Sequence, residues 1–512
     1  MREVWLTPEE QDFIDPTHRG RDKLAGYADG QPTPVPPLFA RRTRDEWFDA
    51  FVELRTKYYG QRPKFQFEKE FDEAHDTKYG PQGATFSLAE LRVKYEKSYQ
   101  YAERIISIPH ELIEARDYLI RRIRYSKHRI HVQSWNNYER GRDGTLGGLP
   151  TMKHKGQFAC EKHASPALWR HVVEDLPGER DQRRKHRGIN VDATANVRYI
   201  ERELNYVRRF LKVAFPEYFS AWLNPSLKLQ PAILSWLLRS ASAIEVDYDD
   251  CDDTFGWPIV AELVLPIYEE LLTEGEYWHF ASFVEELFWQ PVYFGSVALT
   301  GAHNLLSGQA ITNDFETIFD VIVCIAVMLL HGLTEDDCFF ACIGDDVLLL
   351  VDSSSVNPVS MYDCYAWLAT QCGMIVSKLK STIRKGKCAF TRRAYSLAQP
   401  RKVNLNGDQY IEGVYPSILT INNIVNPERA AASLPELIKA TCARLDNSAS
   451  SPFFVPMVQH VWAARDKSMH MPSLEKVLVA SYSDWWEVVY GEPFSLTSSA
   501  SFAIIQRITP FI

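Results

Sequence analysis

The chain has 512 residues, 46% hydrophobic and 24% charged, a soluble balance spread over a length that exceeds one ordinary core and predicts three or so cooperating subdomains. The longest apolar run, Val321 to Leu330, is well short of the ~20 residues that span a bilayer, and MREVWLTPEE is charged from its second residue. No transmembrane helix, signal peptide or membrane partner is therefore expected. The nine cysteines make no C-x-x-C pair and no zinc-type Cys/His spacing, so they read as reduced core residues in a cytosolic setting. A net charge of −9 argues against a simple basic nucleic-acid binder, but an enzyme that encloses its substrate needs positive charge only along the path of the phosphates.

In chain order, the Pro-rich stretch QPTPVPPLF precedes two helical patterns, TRDEWFDAFVELRTKYYG and SLAELRVKYEKSYQYAERII. These predict an N-terminal arm and the start of a helical layer over residues 1–100. Between Arg116 and Arg142 eight Lys/Arg stand against two acids, and residues 136–190 are basic and rich in glycine, suiting extended segments that line a channel. SAIEVDY reads as a short strand ending in acids, and TFGWPIVAELVLPIYEELL as a helix. SGQAITNDFETIFDVIVCIAVMLLHG reads as a glycine-hinged loop entering a long helix that Gly332 terminates. CFFACIGDDVLLLVD reads as two apolar strands joined at Gly344-Asp345-Asp346. From Lys378 to Lys402 there are nine Lys/Arg and no Asp/Glu, and the last 110 residues again read mostly helical.

An Asp-Asp at a hairpin tip is ordinary turn chemistry when taken alone. Flanked on both sides by apolar strands it is harder to dismiss, because Asn-Gly would serve the turn as well. Asp247 ends one predicted strand and Asp345 and Asp346 cap a hairpin, so a shared sheet would make the three carboxylates converge. Such a group of hard oxygen ligands suits Mg²⁺ and the two-ion chemistry of phosphoryl transfer.

The ordered set of motifs resembles the palm-type RNA-dependent RNA polymerases of RNA viruses, within them the double-stranded-RNA partitivirus and picobirnavirus group. Asp247-Tyr248-Asp249-Asp250-Cys251-Asp252 resembles motif A, Ser307-Gly308-Gln309-Ala310-Ile311-Thr312-Asn313 motif B, and Gly344-Asp345-Asp346 motif C. Ser307 follows Asp247 by 60 residues and Asp345 follows Ser307 by 38, spacings that suit the family. Gly373 through Lys380 is similar to motif D, and Ala389-Phe390-Thr391-Arg392-Arg393-Ala394-Tyr395 to motif E. Upstream, Gly147-Gly148-Leu149-Pro150 with Lys155-Gly156 resembles motif G, and Arg183-Arg184-Lys185-His186-Arg187-Gly188-Ile189 the basic motif F. The motifs cover residues 147–395, roughly half the chain.

The resemblance implies an α+β fold: a right-hand polymerase with an antiparallel-sheet palm, fingers, and a largely helical thumb. It divides the chain into an N-terminal arm and helical layer (1–100), fingers with motifs G and F (101–240), palm with motif A (241–258), a fingers insertion (259–300), palm with motifs B to E (301–400), and thumb with C-terminal tail (401–512). Asp247 and Asp345 would bind two Mg²⁺ ions, for which Mn²⁺ can substitute, with Asp346 in support. Lys380 would give a proton to the leaving pyrophosphate. Asp252 would meet the ribose 2′-hydroxyl, where DNA-making relatives place a bulky ring. Asp249, Asp250 and Asp253 read as solvated. Gly308 would let the backbone approach the template, while Ser307, Thr312 and Asn313 present hydroxyls and an amide near the sugar. Their plainer reading, as a helix N-cap, is compatible with this. One departure is that many relatives carry an Asn four residues past the Thr, where this chain has Glu316.

Lys185 and Arg187 would clamp the triphosphate, Gly148, Pro150 and Lys155 would guide the template, and Arg392 and Arg393 would grip the growing strand. The implied partners are template and product RNA, ribonucleoside triphosphates and a viral capsid protein, and the implied location is the virion and the host cytoplasm. The apolar tail SFAIIQRITPFI is expected to pack on the body. The rival readings are a catalytically idle RNA-binding or capsid-interior protein that kept the fold, and a reverse transcriptase, against which Asp252 speaks. No Walker-type, dinucleotide-binding or H-E-x-x-H motif is present.

Overall fold

The computed structural model describes residues 1–9, 35–80, 88–126, 176–182, 185–191, 194–294, 296–306, 309–427 and 434–464. Strand β1 (Arg2–Trp5) leads to helices α1 (Arg44–Gly60), α2 (Gln66–Glu73), α3 (Leu88–Ala102) and α4 (His110–Tyr125). Strands β2 (Leu176–Gln182) and β3 (Lys185–Val191) follow, then α5 (Thr194–Ala214), α6 (Leu229–Leu238) and β4 (Ser242–Val246). Next come α7 (Leu265–Leu271), α8 (Glu274–Leu287), β5 (Val292–Phe294), β6 (Val297–Thr300), the long α9 (Thr312–Leu330), β7 (Cys338–Ile343), β8 (Asp346–Val351) and α10 (Pro358–Gln371). Five short strands, β9 (Thr382–Lys385), β10 (Lys387–Phe390), β11 (Arg393–Ser396), β12 (Arg401–Val403) and β13 (Gln409–Ile411), precede α11 (Ser417–Val425), α12 (Leu434–Asp446) and α13 (Phe454–Ala463).

Helices and antiparallel sheets are segregated, so the fold is α+β. At its centre lies a four-stranded antiparallel sheet in the order β7-β8-β4-β9. Side chains alternate between its faces. Ala243, Ala341, Leu348 and Leu350 pack with α6 and the β10–β11 hairpin, whereas Ile244, Val246, Phe340, Cys342, Val347 and Leu349 pack with α9 and α10. Burial on both sides explains why CFFACI and VLLLV read as unbroken apolar runs. Helix α9 is buried from Asp314 to Met328, as an apolar 19-residue helix must be when elements cover it all round. It ends as its sequence predicts. Gly332 takes φ +65, its amide donates to the Leu329 carbonyl, and the Leu333 amide donates to the Met328 carbonyl.

Two predicted elements differ in detail. The stretch read as one helix from Thr254 is a short helical turn, a π-helical segment over Val260–Val264, and α7, with Pro258 and Pro266 at the seams. The basic stretch before residue 191, read as extended segments, in part closes into the antiparallel pair β2–β3. The N-terminal segment joins distant parts of the chain. Arg2–Trp5 pairs with β6, and Trp47, Phe51 and Tyr59 of α1 share a core with Ile418, Leu445, Met457 and Trp462. All described cysteines are free, and no described helix is long and apolar enough to cross a membrane. The apolar tail that begins at Ser501 lies outside the described residues.

Candidate active site

The central sheet brings the acidic motifs together. Val246, the last residue of β4, pairs with Val347, so the register carried one residue further sets Asp247 opposite Asp346. Ile343 pairs with Asp346 across a two-residue loop, Gly344-Asp345. Gly344 has φ +56, the backbone that a tight hairpin with glycine first in its loop requires. Asp345 is exposed at the tip and Asp346 is half-buried.

Helix α9 holds this turn from below. The Gly344 amide donates to Thr317 Oγ1 at 2.8 Å, and that hydroxyl donates to the Asn313 carbonyl at 2.6 Å. A Cβ on Gly344 would lie 3.0 Å from Asn313 Nδ2 and 3.5 Å from Glu316 Oε2. The positive φ asks for glycine here, and a side chain would also press on the Asn313 amide. Deeper, Asp320 Oδ1 accepts the hydroxyls of Tyr248 and Tyr365, each at 2.7 Å. Burial is the main cause that lifts the Asp320 carboxyl to about 8, against the lowering effect of the two tyrosines.

Beyond β4, the chain zips to the segment that precedes β9. The Asp249 amide donates to the Ile375 carbonyl, the Ser377 amide to the Asp247 carbonyl, and the Asp247 amide to Ser381 Oγ. This delivers Lys380, whose Nζ lies 3.2 Å from Asp247 Oδ1, 2.6 Å from Asp249 Oδ1 and 3.3 Å from the Tyr248 carbonyl oxygen. Desolvation raises the Asp247 carboxyl above the usual carboxylate range, Lys380 opposes the rise, and the charges of Asp345 and Asp249 add to it. Asp247 thus senses Asp345 electrostatically. Asp250, in the left-handed region at φ 53, turns the chain into the short helix Cys251–Thr254 that carries Asp252, and pairs with Lys97 at 3.6 Å.

The acids around Asp252 are not all solvated as their sequence suggested. Asp253 is buried, its carbonyl accepts the Asn304 amide at 2.9 Å, and Asp249 is committed to Lys380. The helix carrying them turns Asp253 inward.

The carboxylates of Asp247, Asp345 and Asp346 are hard oxygen donors, and an ammonium already sits against one of them. Among the described residues no three His, Cys, Asp or Glu side chains close into a ready-made cage. A donor set of this kind fits Mg²⁺, which keeps waters and takes only one or two protein carboxylates besides substrate phosphate.

Thr312 donates its hydroxyl to the Leu306 carbonyl at 3.1 Å, and α9 starts without a side-chain cap. Asn313 is exposed with its amide against the Gly344 turn. Lys185 and Arg187 lie on β3, opposite Gln182 and Arg180, with only their backbone described. Ser307, Gly308, Gly148, Pro150 and Lys155 lie outside the described residues. At the β10–β11 turn, Arg392 is exposed, whereas Arg393 donates to the carbonyls of Gly413 at 2.9 Å and Asn447 at 3.4 Å. The basic run is partly committed to internal partners, for Arg384 pairs with Glu245 and Lys402 with Glu412.

Read as sequence, Glu316 was only a departure from the family pattern, and Thr317 and Asp320 were not singled out. Their signal was present: Asn313, Glu316, Thr317 and Asp320 recur at i, i+3, i+4 and i+7, a polar stripe along one face of an apolar helix.

No family model and no curated protein matches the chain. Among solved structures it is similar to the crystal structure of the RNA-dependent RNA polymerase of a human picobirnavirus, with a TM-score of 0.74 and 14% identity over 95% of this chain and 94% of that one. It is also similar to the insertion loop deletion mutant of the RNA-dependent RNA polymerase of a human picobirnavirus, with a TM-score of 0.75 and 15% identity over 98% of this chain and 100% of the other. End to end, then, the chain has the fold of the picobirnavirus RNA-dependent RNA polymerase.

Proposed function

We propose that the chain is an RNA-directed RNA polymerase that replicates and transcribes a viral RNA genome by nucleotidyl transfer from a ribonucleoside triphosphate to a 3′-hydroxyl, releasing pyrophosphate. The observation that carries this reading is the convergence of Asp247 with the Gly344-Asp345-Asp346 turn on one sheet, electrostatically coupled and with Lys380 beside them.

Asp247 and Asp345 would hold Mg²⁺, or Mn²⁺ in its place, with Asp346 in support; bound there, the ions supply activation of the attacking hydroxyl and charge neutralisation at the leaving pyrophosphate. Burial lowers the pKa of Lys380 and its carboxylate partners more than offset that, so the side chain is an ammonium, the form that could give a proton to the departing oxygen. Asp252 is assigned to the ribose 2′-hydroxyl, and Ser307, Gly308, Thr312 and Asn313 are assigned to the nucleotide and template. Lys185 and Arg187 on the β2–β3 hairpin supply charge for the triphosphate; Gly148, Pro150, Lys155, Arg392 and Arg393 are assigned to RNA. The partners proposed are template and product RNA, ribonucleotides and a capsid protein, with action inside the virion and the host cytoplasm. The division into fingers, palm and thumb given above is part of this proposal.

The test is purified protein with four ribonucleotides, Mg²⁺ and a single-stranded RNA template, with product length recorded. Asp345→Asn keeps the shape of the turn and removes one negative charge. Synthesis is expected to fall about a thousandfold, the equivalent of ~4 kcal/mol in the transition state, while RNA binding and thermal stability hold. Near-normal synthesis by Asp345→Asn would show that the site lies elsewhere. Synthesis by the unaltered protein from deoxyribonucleotides alone would favour a reverse transcriptase.

A further inference from the structure

Four of the five residues of β4 are buried, and the fifth is Glu245, a carboxylate whose side chain is 14% exposed. A charge so placed is costly unless it is paired and hydrogen-bonded. Oε2 accepts the hydroxyl of Thr382, its neighbour on β9, at 2.9 Å and pairs with Arg384, while Oε1 accepts the backbone amide of Ala389 at 2.7 Å. The first two donors belong to the adjacent strand of the same sheet. The third belongs to the β10–β11 hairpin.

That third bond is one the hairpin cannot make by itself. Ala389 stands opposite Ala394, and Ala394 exchanges both of its backbone bonds with Val414. The two alanines are therefore a pair without mutual hydrogen bonds, and the Ala389 amide points out of the hairpin, where Glu245 meets it. A side-chain carboxylate stands where the carbonyl of a further strand would be, with the added strength of a charged acceptor.

We infer that Glu245 is a positioning residue that fixes the β10–β11 hairpin, and with it the growing strand, relative to the metal carboxylate Asp247. The inference rests on the polymerase reading and deepens it. Asp247 lies two residues beyond Glu245, and Arg392 three residues beyond Ala389, so one bond links the carboxylate assigned to the ions with the arginine assigned to the growing strand. Transfer needs the 3′-hydroxyl at attack distance, and a misplacement of about 1 Å can cost about a hundredfold in rate. Glu245 acts on that distance through the hairpin.

Two variants separate the hydrogen bond from the rest of the side chain. Glu245→Gln keeps the length and an oxygen that accepts the Ala389 amide, whereas Glu245→Leu keeps the bulk and leaves that amide without an acceptor. The measurement, on the full chain, is the dissociation rate of an RNA primer annealed to its template, beside that of the unprimed template, together with kcat and KM for adding one ribonucleotide to the primer. Glu245→Leu is expected to release the primed RNA about tenfold faster and to lower kcat about tenfold, with the unprimed template and KM within about threefold of the parent. Glu245→Gln should stay within about threefold throughout. A merely structural role would move the unprimed template and KM as well. In an Arg392→Ala background the Glu245→Leu effect on primed RNA should vanish, as it must for a residue that works through the hairpin.

Equal acceleration for primed and unprimed RNA, a Glu245→Leu variant that behaves as the parent, a Gln variant as impaired as Leu, or full additivity with Arg392→Ala would each overturn the inference. Should Glu245→Leu fail to fold, Glu245→Asp decides. It keeps the charge beside Arg384 and draws the oxygens back from Ala389, so the same selective loss of primed RNA is expected, and its absence refutes the role. Asp345→Asn run in parallel distinguishes the two levels. If it still synthesises, the polymerase reading has failed and the inference with it; if it is dead while the Glu245 variants hold primed RNA as the parent does, only the role of Glu245 has.

Discussion

Thr317 and Gly344 are joined by a buried hydrogen bond of 2.8 Å that ties the long central helix to the acidic turn. The hydroxyl is the acceptor for that amide, and it is itself satisfied by donating to the Asn313 carbonyl. The shape of the Gly344-Asp345 loop therefore depends on a side chain 27 residues away in sequence.

Replacing Thr317 by Val keeps the branched shape and leaves the Gly344 amide without its acceptor. A buried donor left unmade costs about 1–3 kcal/mol. Thermal denaturation should show a lower midpoint for Thr317→Val, and nucleotide incorporation should fall as the turn shifts, while Thr317→Ser restores both. A Val variant as stable and active as the parent would mean that the turn is held by its strands alone.

Asp320 makes a second prediction, in pH. Its folded-state carboxyl lies at about 8 and its ordinary value is 3.8, so between these the folded protein holds a proton that the unfolded chain releases. The unfolded state binds fewer protons there, and stability falls as pH rises across that window. Asp320→Asn imitates the neutral acid: its oxygen still accepts from Tyr248 and Tyr365, and nothing ionises. Melting temperatures from about pH 5 to about pH 9 should converge at the acid end, with the variant ahead at the alkaline end. Parallel curves would place the titration elsewhere.

A third prediction separates two neighbouring arginines. Arg392 is exposed at the β10–β11 turn, so Arg392→Ala should reduce the slope of log affinity against log salt for single-stranded RNA by about 0.7, the share of one phosphate contact. The Arg393 guanidinium reaches the carbonyls of Gly413 and Asn447 and lies 5.7 Å from the Tyr415 ring centroid. Arg393→Ala should leave the salt slope alone and lower the stability by about 1–2 kcal/mol in a denaturant titration. Filter-binding across a salt series checks the first, and the same slope for both variants would refute the distinction.

What was readable from the sequence follows from how local the cause was. The hairpin tip at Gly344-Asp345-Asp346 and the helix stop at Gly332 are set by residues within a few positions, and both stand where the pattern placed them. The register that sets Asp247 opposite Asp346, and the zipping of residues 375–381 onto the strand end that delivers Lys380, are contacts between segments far apart in sequence. No local pattern encodes them. Asp253 was misjudged because a charged side chain is exposed by default, and only the short turn begun by Asp250 reverses that. The polar stripe on α9 was local and could have been found, had period as well as composition been read in that helix.

The last prediction concerns strain at the β10–β11 turn. Phe390 pairs with Arg393, leaving Thr391 and Arg392 as a two-residue loop with φ of +48 and +58. Positive φ at both central residues is what the right-handed twist of the strands asks of such a loop, and Asn-Gly meets it cheaply. A β-branched threonine does not, because its Cβ crowds the backbone, at roughly 1–2 kcal/mol for such a residue. Its hydroxyl recovers part of that by donating to the Phe390 carbonyl at 2.8 Å. Thr391→Asn should therefore stabilise the protein by about 0.5–1 kcal/mol, seen as a higher denaturant midpoint with an unchanged slope. Arg392 keeps its place in this variant, so RNA affinity and its salt dependence should not move. A lower midpoint would show that the threonine hydroxyl outweighs the strain, and a changed RNA affinity at unchanged stability would show that Thr391 itself meets the strand.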